Sequence, residues 1–283
     1  MSEIKRILFP TDFSEPAVNA FRYALWFADR HNASIDLWHF VSPELAPADI
    51  PVVSAELTQQ KLDVAKEVMQ TFTNNGITQV QTAHELNAIP DVQGNVEVGP
   101  ASRRIREKAK ERKTDLIIMG TQGEHGTLER IFGSVTTATL EKSDCPVLVI
   151  PDNVSSEKLM NVSFASDLKE YDPFHIWEVM KILSPYDVKY RVVHIEKESD
   201  DKDELDLQEL KSFFEERSPE TEISFHSLIG DDRIELLEDF CNRYEIDLLA
   251  MFRPKHSFFE SIFHNSLTRQ IALHTSVPLL ILK

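Results

Sequence analysis

Between a β-rich run at Asp115–Met119 and a helical pattern beginning at Ser134 lie Gly120, Gly123, Gly126 and Gly133, within a loop that reads Gly-Thr-Gln-Gly-Glu-His-Gly before it reaches Phe-Gly-Ser-Val-Thr at residues 132–136. Where a strand gives way to a helix, unpaired backbone N–H groups converge, and residues without side chains let an anion come close to them. Ser134 is placed to cap the helix or to donate its hydroxyl to the same anion, and the helix dipole adds partial positive charge. The implied chemistry is phosphate binding. The Walker pattern Gly-x4-Gly-Lys-Ser/Thr is absent, and so is the Gly-x-Gly-x-x-Gly dinucleotide fingerprint. No lysine is set on a γ-phosphate, and no Ser-His-Asp, Cys-His or paired-carboxylate set stands out, so no catalytic residue is assigned.

The elements that must position this loop alternate. A strand at Ile4–Pro10 precedes a helical pattern through Ala17, Ala20, Ala24 and Phe27 and a second strand at Ile35–Val41. A helix over Ala55–Phe72 is expected to end at Asn74-Asn75-Gly76, followed by a strand at Thr78–Leu86. A charged helix at Pro100–Lys113, the strand before the loop, the helix from Ser134 and the apolar run Pro146–Ile150 complete the set. Such alternation implies a parallel sheet covered on both faces. Ligands of open parallel sheets sit beyond the strand C-termini where strand order reverses. With strands one and four flanking that point, Asp12 becomes a neighbour of Gly120. The Asp12 carboxylate could then accept from ribose hydroxyls, and Val41 could present backbone groups to a base edge.

Residues 151–283 repeat the order, with strands expected at Met160–Ser166, Val188–His194, Glu222–Ile229, Asp247–Phe252 and Pro278–Leu282. Phe9-Pro10-Thr11-Asp12 parallels Phe164-Ala165-Ser166-Asp167, and the strand at Asp115–Met119 parallels that at Asp247–Met251. Two domains are therefore expected, 1–151 and 159–283, joined by a short linker. The glycines do not repeat. Phe252 stands at the first loop glycine, Lys255 at the second and His264-Asn265-Ser266 around the third, which predicts that only the first domain binds nucleotide.

The sequence resembles the universal stress protein family over both halves, residues 3–150 and 160–282, and the ATP-binding members of that family carry Gly-x2-Gly-x9-Gly-Ser/Thr after the fourth strand. Gly120, Gly123, Gly133 and Ser134 satisfy that spacing. The resemblance implies two consecutive Rossmann-like domains of the adenine nucleotide alpha hydrolase-like class, each an α/β fold with a five-stranded parallel sheet of order 3-2-1-4-5. It implies ATP, with Mg²⁺, as ligand. Pro10, Thr11 and Asp12 would line the adenosine end and Val41 the adenine. Met119, Gly120 and Gly123, with Gly133, Ser134, Val135 and Thr136, would line the phosphates.

The net charge of −17 argues against a sequence-independent grip on nucleic acid. The basic residues from Arg103 to Lys113 alternate with Glu107 and Glu111 on a helix whose buried stripe would be Ile105 and Ala109, a solvated face. No apolar run approaches the roughly 18 residues of a membrane span. Met1–Pro10 lacks the features of a secretory signal, and Cys145 and Cys241 have no metal-ligand spacing, so a cytoplasmic protein is expected. The dense acids of Glu196–Asp206 read as a solvated loop, and the aromatics of Ser257–Phe263 as folding onto their own domain. The terminal strands Pro146–Ile150 and Pro278–Leu282 are edge strands by this topology. They are expected to cover each other in an intramolecular pseudo-dimer, with a further homodimer left open. The functional expectation is an ATP-responsive stress or regulatory protein whose protein partners are not specified. The alternatives are a nucleotide-independent scaffold, or a carrier of a hydrophobic ligand on the second domain. An adenylating enzyme would carry Ser-Gly-Gly-x-Asp-Ser after strand one, where this chain has Pro10-Thr-Asp-Phe-Ser14.

Overall fold

The computed structural model describes residues 3–43, 51–83, 86–121, 133–152, 154, 158–196, 206–253 and 277–283. The chain divides into two compact units, residues 2–152 and 153–283, each taken here by itself.

The first unit runs β1 (Arg6–Pro10), α1 (Glu15–His31), β2 (Ser34–Val41), α2 (Pro51–Ala83), β3 (Val92–Val98), α3 (Ala101–Glu111), β4 (Leu116–Gly120), α4 (Ser134–Lys142) and β5 (Val147–Ile150). Its strands lie in the order β3-β2-β1-β4-β5, every pair parallel. Ile7, Leu8 and Phe9 of β1 and Leu116, Ile117 and Ile118 of β4 are all fully buried. Consecutive burial of this kind marks central strands covered on both faces. The alternation along β2 identifies the two covers. Trp38 lies beneath Lys108 of α3 at 4.9 Å, whereas the next residue, His39, stacks on Phe13, which in turn meets Phe72 of α2. Successive strand residues point to opposite faces, so α3 and α2 cover opposite sides of the sheet.

Helix α1 starts where the Ser14 hydroxyl accepts from the Ala17 N–H and stops at Asn32 in the left-handed region, φ 50°. Its buried face includes Ala17, Ala20, Phe21, Ala24 and Leu25. The expected stop at Asn74-Asn75-Gly76 and the expected strand from Thr78 are not found, because α2 continues to Ala83. Ala65, Met69, Phe72 and Val80 form a buried stripe at helical spacing, and Gly76 falls within it. A Cβ on Gly76 would stand 2.6 Å from the Phe21 ring. This glycine permits α2 to approach α1 closely and does not end a helix. The third strand is Val92–Val98 instead, where Gly94 lies against Met69 of α2.

The second unit runs β6 (Asn161–Ala165), α5 (Asp172–Ile182), β7 (Lys189–Glu196), α6 (Leu207–Arg217), β8 (Ile223–Ile229), α7 (Arg233–Arg243), β9 (Leu248–Phe252) and β10 (Leu279–Leu282). Its order is β8-β7-β6-β9-β10, again all parallel. The two units share fine detail. Asp115 Oδ2 accepts the N–H groups of Lys5 and Arg6, and Asp247 Oδ2 accepts those of Met160 and Asn161, at 2.8–2.9 Å. Lys113 and Glu245, at the helix exits before these aspartates, both have positive φ.

On α3, Ile105 and Ala109 are buried. Its cations are engaged with Glu97, Glu107 and Glu111, as in the Arg104–Glu97 pair at 2.7 Å and the Lys108–Glu97 pair at 2.9 Å. Arg103, Arg104 and Lys108 are thus the members of the basic run seen in ion pairs. Cys145 and Cys241 are not joined in a disulfide. Among the described residues no helix is long and apolar enough to cross a membrane.

Candidate functional site

In the first unit the strand order reverses between β1 and β4, which pair through Ile7–Leu116 and Leu8–Ile117. Their C-terminal ends bring Pro10, Thr11 and Asp12 to the same edge as Met119 and Gly120, with Val41 at the end of the neighbouring β2. This is the location at which open parallel sheets hold ligands.

The turn after β1 is tightly determined. Thr11 donates its N–H to the Trp38 carbonyl at 2.8 Å, its hydroxyl accepts from the Phe13 N–H at 2.9 Å, and its carbonyl is 2.8 Å from His39 Nδ1. That last bond requires a proton on Nδ1, because a carbonyl oxygen can only accept. Phe13 sits at φ 66° with its ring stacked on His39. Asp12 Oδ1 accepts from both the N–H and the hydroxyl of Ser14, at 3.1 and 2.6 Å. Asp12 is exposed and shapes the entry to α1 with one oxygen. The Val41 carbonyl accepts from the Gly99 N–H at 3.0 Å, and a carbonyl retains a second lone pair.

At the other side, Gly120 ends β4 against the first turns of α1. A Cβ there would lie 3.5 Å from the Pro16 carbonyl oxygen and 3.6 Å from the Ala20 Cβ, which are ordinary contact distances. Among the described residues, no neighbour of Gly120 requires the missing side chain. Beyond it, the Gly133 N–H donates to the Thr121 carbonyl at 2.8 Å, and the Thr136 hydroxyl donates to the Gly120 carbonyl at 3.0 Å. These bonds tie the start of α4 to the end of β4. Gly133, at φ −61° and ψ 154°, is the N-cap and supplies no side-chain bond to the helix. The expectation that Ser134 caps α4 is thus corrected. Ser134 is the first helical residue and exposed, because the extended conformation that leads into the helix belongs to Gly133. Val135 and Thr136 follow in the first turn. Gly123 lies outside the described residues.

One residue not expected from the sequence, Asp152, joins this site through Thr121, which lies within the stretch Met119 to Gly123 expected at the phosphates. The Thr121 hydroxyl donates to Asp152 Oδ1 at 3.0 Å. Burial pushes the Asp152 carboxyl above its ordinary range, and the Thr121 bond offsets this in part. Their separation of 31 residues carries no local sequence signal.

The second unit has the same frame and different contents. His194 Nδ1 meets the Ser166 carbonyl at 2.9 Å as His39 meets Thr11, the Leu168 N–H donates to the Ser166 hydroxyl as Phe13 does to Thr11, and Leu168 has φ 51°. Met251 is in register with Ala165, so Phe252 stands where Gly120 does. Its ring stacks on His175 at 3.5 Å between centroids and meets Tyr171 at 5.0 Å. By the repeat of Asp12 as Asp167, Tyr171 and His175 correspond to Pro16 and Ala20, the two residues that face Gly120. His175 is buried and 3.2 Å from Glu178. Lys255, His264-Asn265-Ser266, Ser257–Phe263 and most of Glu196–Asp206 lie outside the described residues.

Beneath this stack Asp172 is buried and accepts from the Ser166 hydroxyl and the Lys169 N–H. Burial pushes its carboxyl up. The two hydrogen bonds lower it, Asp167 raises it and His175 lowers it, but burial prevails. A carboxyl raised in the folded state holds its proton more tightly than in the unfolded chain. Its stabilising contribution is full below the ordinary value of about 3.9 and is lost as pH rises through the raised folded value. Asp172→Asn keeps a carbonyl acceptor and removes the titration. Urea unfolding of the variant is expected to show a flatter loss of stability with rising pH over that window. An identical slope in variant and parent would refute the assignment.

A family model described as the universal stress protein family matches residues 3–151. A universal stress protein of Methanocaldococcus jannaschii is 30% identical over 155 residues, covering 52% of this chain and 94% of that protein. A putative universal stress protein of Staphylococcus aureus strain USA300 is 30% identical over 152 residues, covering 53% of this chain and 86% of that protein. The crystal structure of a universal stress protein from Archaeoglobus fulgidus aligns with a TM-score of 0.74 over 99% of this chain and 97% of that one. At 18% identity this last likeness is one of fold.

Proposed function

This chain belongs to the universal stress protein family, and from that premise we propose that it is a tandem member whose first unit binds ATP and whose second does not. The observation that carries the reading is Gly120, a glycine at the strand-order reversal whose missing side chain no neighbour among the described residues demands. Such a residue fits a ligand that must approach the backbone closely. The first turn of α4, which has no side-chain cap, supplies N–H groups for phosphate oxygens. Pro10, Thr11, Asp12 and Val41 serve the nucleoside; Met119, Gly120, Gly123, Gly133, Ser134, Val135 and Thr136 serve the phosphates. Mg²⁺ would enter with the triphosphate and neutralise its charge. Binding, with a regulatory consequence in a stress response, is the proposed activity, and no residue is assigned to catalysis.

A second reading, a carrier of an apolar ligand on the second unit, draws on Tyr171, Phe174 and Trp177 of α5 and its approach, which are all exposed. Native mass spectrometry of freshly purified full-length protein separates the two. A mass increment of one ATP is expected. An apolar adduct, with no uptake of added ATP, would favour the carrier.

A further inference from the structure

We propose that Thr121 and Asp152 are positioning residues of the nucleotide site, setting the geometry of its phosphate end and leaving its nucleoside end alone. This rests on the ATP reading above and assigns a role to residues outside the glycine spacing that led to it.

Thr121 directly follows Gly120, is buried, and uses every polar group it has. Its N–H donates to the Ile150 carbonyl at 3.2 Å, its carbonyl accepts from the Gly133 N–H at 2.8 Å, and its hydroxyl donates to Asp152 at 3.0 Å. One residue thus joins the exit of β4, the entry of α4 and the exit of β5. Asp152 is held in turn from α1. The Asn19 side-chain amide donates to the carbonyls of Pro151 and Asp152, at 3.2 and 3.4 Å. Because α4 has no side-chain cap, the direction of its first N–H groups follows from the backbone at Gly133. That backbone is held by the Thr121 carbonyl. A shift at Thr121 therefore moves the N–H groups offered to the phosphates. It does not move the turn at Thr11–Ser14, which Trp38 and His39 hold independently.

The second unit supplies an internal control. The Arg253 N–H donates to the Leu282 carbonyl at 3.1 Å, repeating the backbone bond from Thr121 to Ile150. That bond belongs to the shared fold. Arginine, however, has no hydroxyl with which to repeat the bond to Asp152, and Phe252 precedes it in place of Gly120.

Calorimetry of the full-length chain with Mg·ATP and, separately, adenosine tests the role. Thr121→Val removes the hydroxyl, Thr121→Ser retains it, and Asp152→Ala removes the acceptor at a position exposed enough to be changed without unfolding the unit. Thr121→Val and Asp152→Ala are each expected to weaken ATP binding about five- to tenfold, the scale of one lost hydrogen bond, and the double variant no further. Thr121→Ser should bind ATP like the parent, and adenosine affinity should move less than about twofold in all variants. Parallel losses for ATP and adenosine, a serine variant no better than valine, or additive losses in the double variant would overturn the inference. A parent protein that binds adenosine and ATP equally well would do so too. One that binds neither would instead remove the nucleotide reading on which the inference rests.

Discussion

Gly120→Ala is expected to weaken ATP binding about ten- to hundredfold while leaving the first unit as stable as before or slightly more so. The two halves of this expectation have separate physical origins. An alanine Cβ would find the Pro16 carbonyl oxygen at 3.5 Å and the Ala20 Cβ at 3.6 Å, so none of the described residues must shift to receive it. Gly120 is also not among the residues with positive φ. Replacing such a glycine narrows the unfolded ensemble and contributes about 0.4–1 kcal/mol of stability. A bound triphosphate, by contrast, would meet the added methyl at the surface it must touch. Forcing a methyl into a filled contact costs about 1–3 kcal/mol, which is the tenfold to hundredfold loss. Gly99→Ala is the matched control, because Gly99 has φ 148° and its added Cβ would lie 2.8 Å from Arg104 Nε. It should lose stability through backbone strain. Thermal unfolding and calorimetry on the two variants separate the cases, and an ATP affinity unchanged by Gly120→Ala would exclude a phosphate cradle at this glycine.

The same contrast explains which parts of the fold were legible in the sequence. β1, β2 and β4 announce themselves as short apolar runs because parallel central strands are buried on both faces, and β5 does so because all four of its residues are apolar and buried. β3 does not, since Val92–Val98 is an edge strand with Gly94 and Asn95 in its middle and exposed Gln93 and Gly94. A run of β-branched residues after Gly76 took its place in the expectation. Ile77, Thr78, Val80 and Thr82 have the composition of a strand, but Val80 continues the stripe of Met69 and Phe72, and packing against α1 overrides propensity. Gly76 had two explanations, a helix stop or a close approach, and only the position of Phe21 decides between them. The glycine loop was legible because its spacing is local. Thr121 with Asp152, and His39 with Thr11, were not, because each pair is made by the fold across some thirty residues. The identity of the α4 cap turned on one residue, Gly133 in place of Ser134, which is the usual uncertainty at a helix end.

Titration of the full-length chain with ATP is expected to saturate at one nucleotide per chain, and Gly120→Ala should weaken all of the measured binding with no second class of site behind it. The second unit has the fold and the β6 turn of a nucleotide site, since Ser166, Leu168 and His194 repeat the bonds of Thr11, Phe13 and His39. What differs is the residue in the place of Gly120: the Phe252 ring is stacked with its centroid 3.5 Å from that of His175 and packed against Tyr171, and it is expected to obstruct a phosphate at that position. His175 is fixed from behind by Glu178 at 3.2 Å, so the stack cannot open by rotating the imidazole alone. A nucleotide would have to expel the phenyl ring from these contacts. Losing a packed phenylalanine costs about 3–5 kcal/mol, enough to lower affinity by more than a hundredfold against an open site. The occupancy of the second unit in the titration should therefore be nil. Two equivalent ATP molecules per chain, or a full-affinity site persisting in the Gly120→Ala variant, would show that Phe252 yields to the ligand and would end the division of labour proposed for the two units.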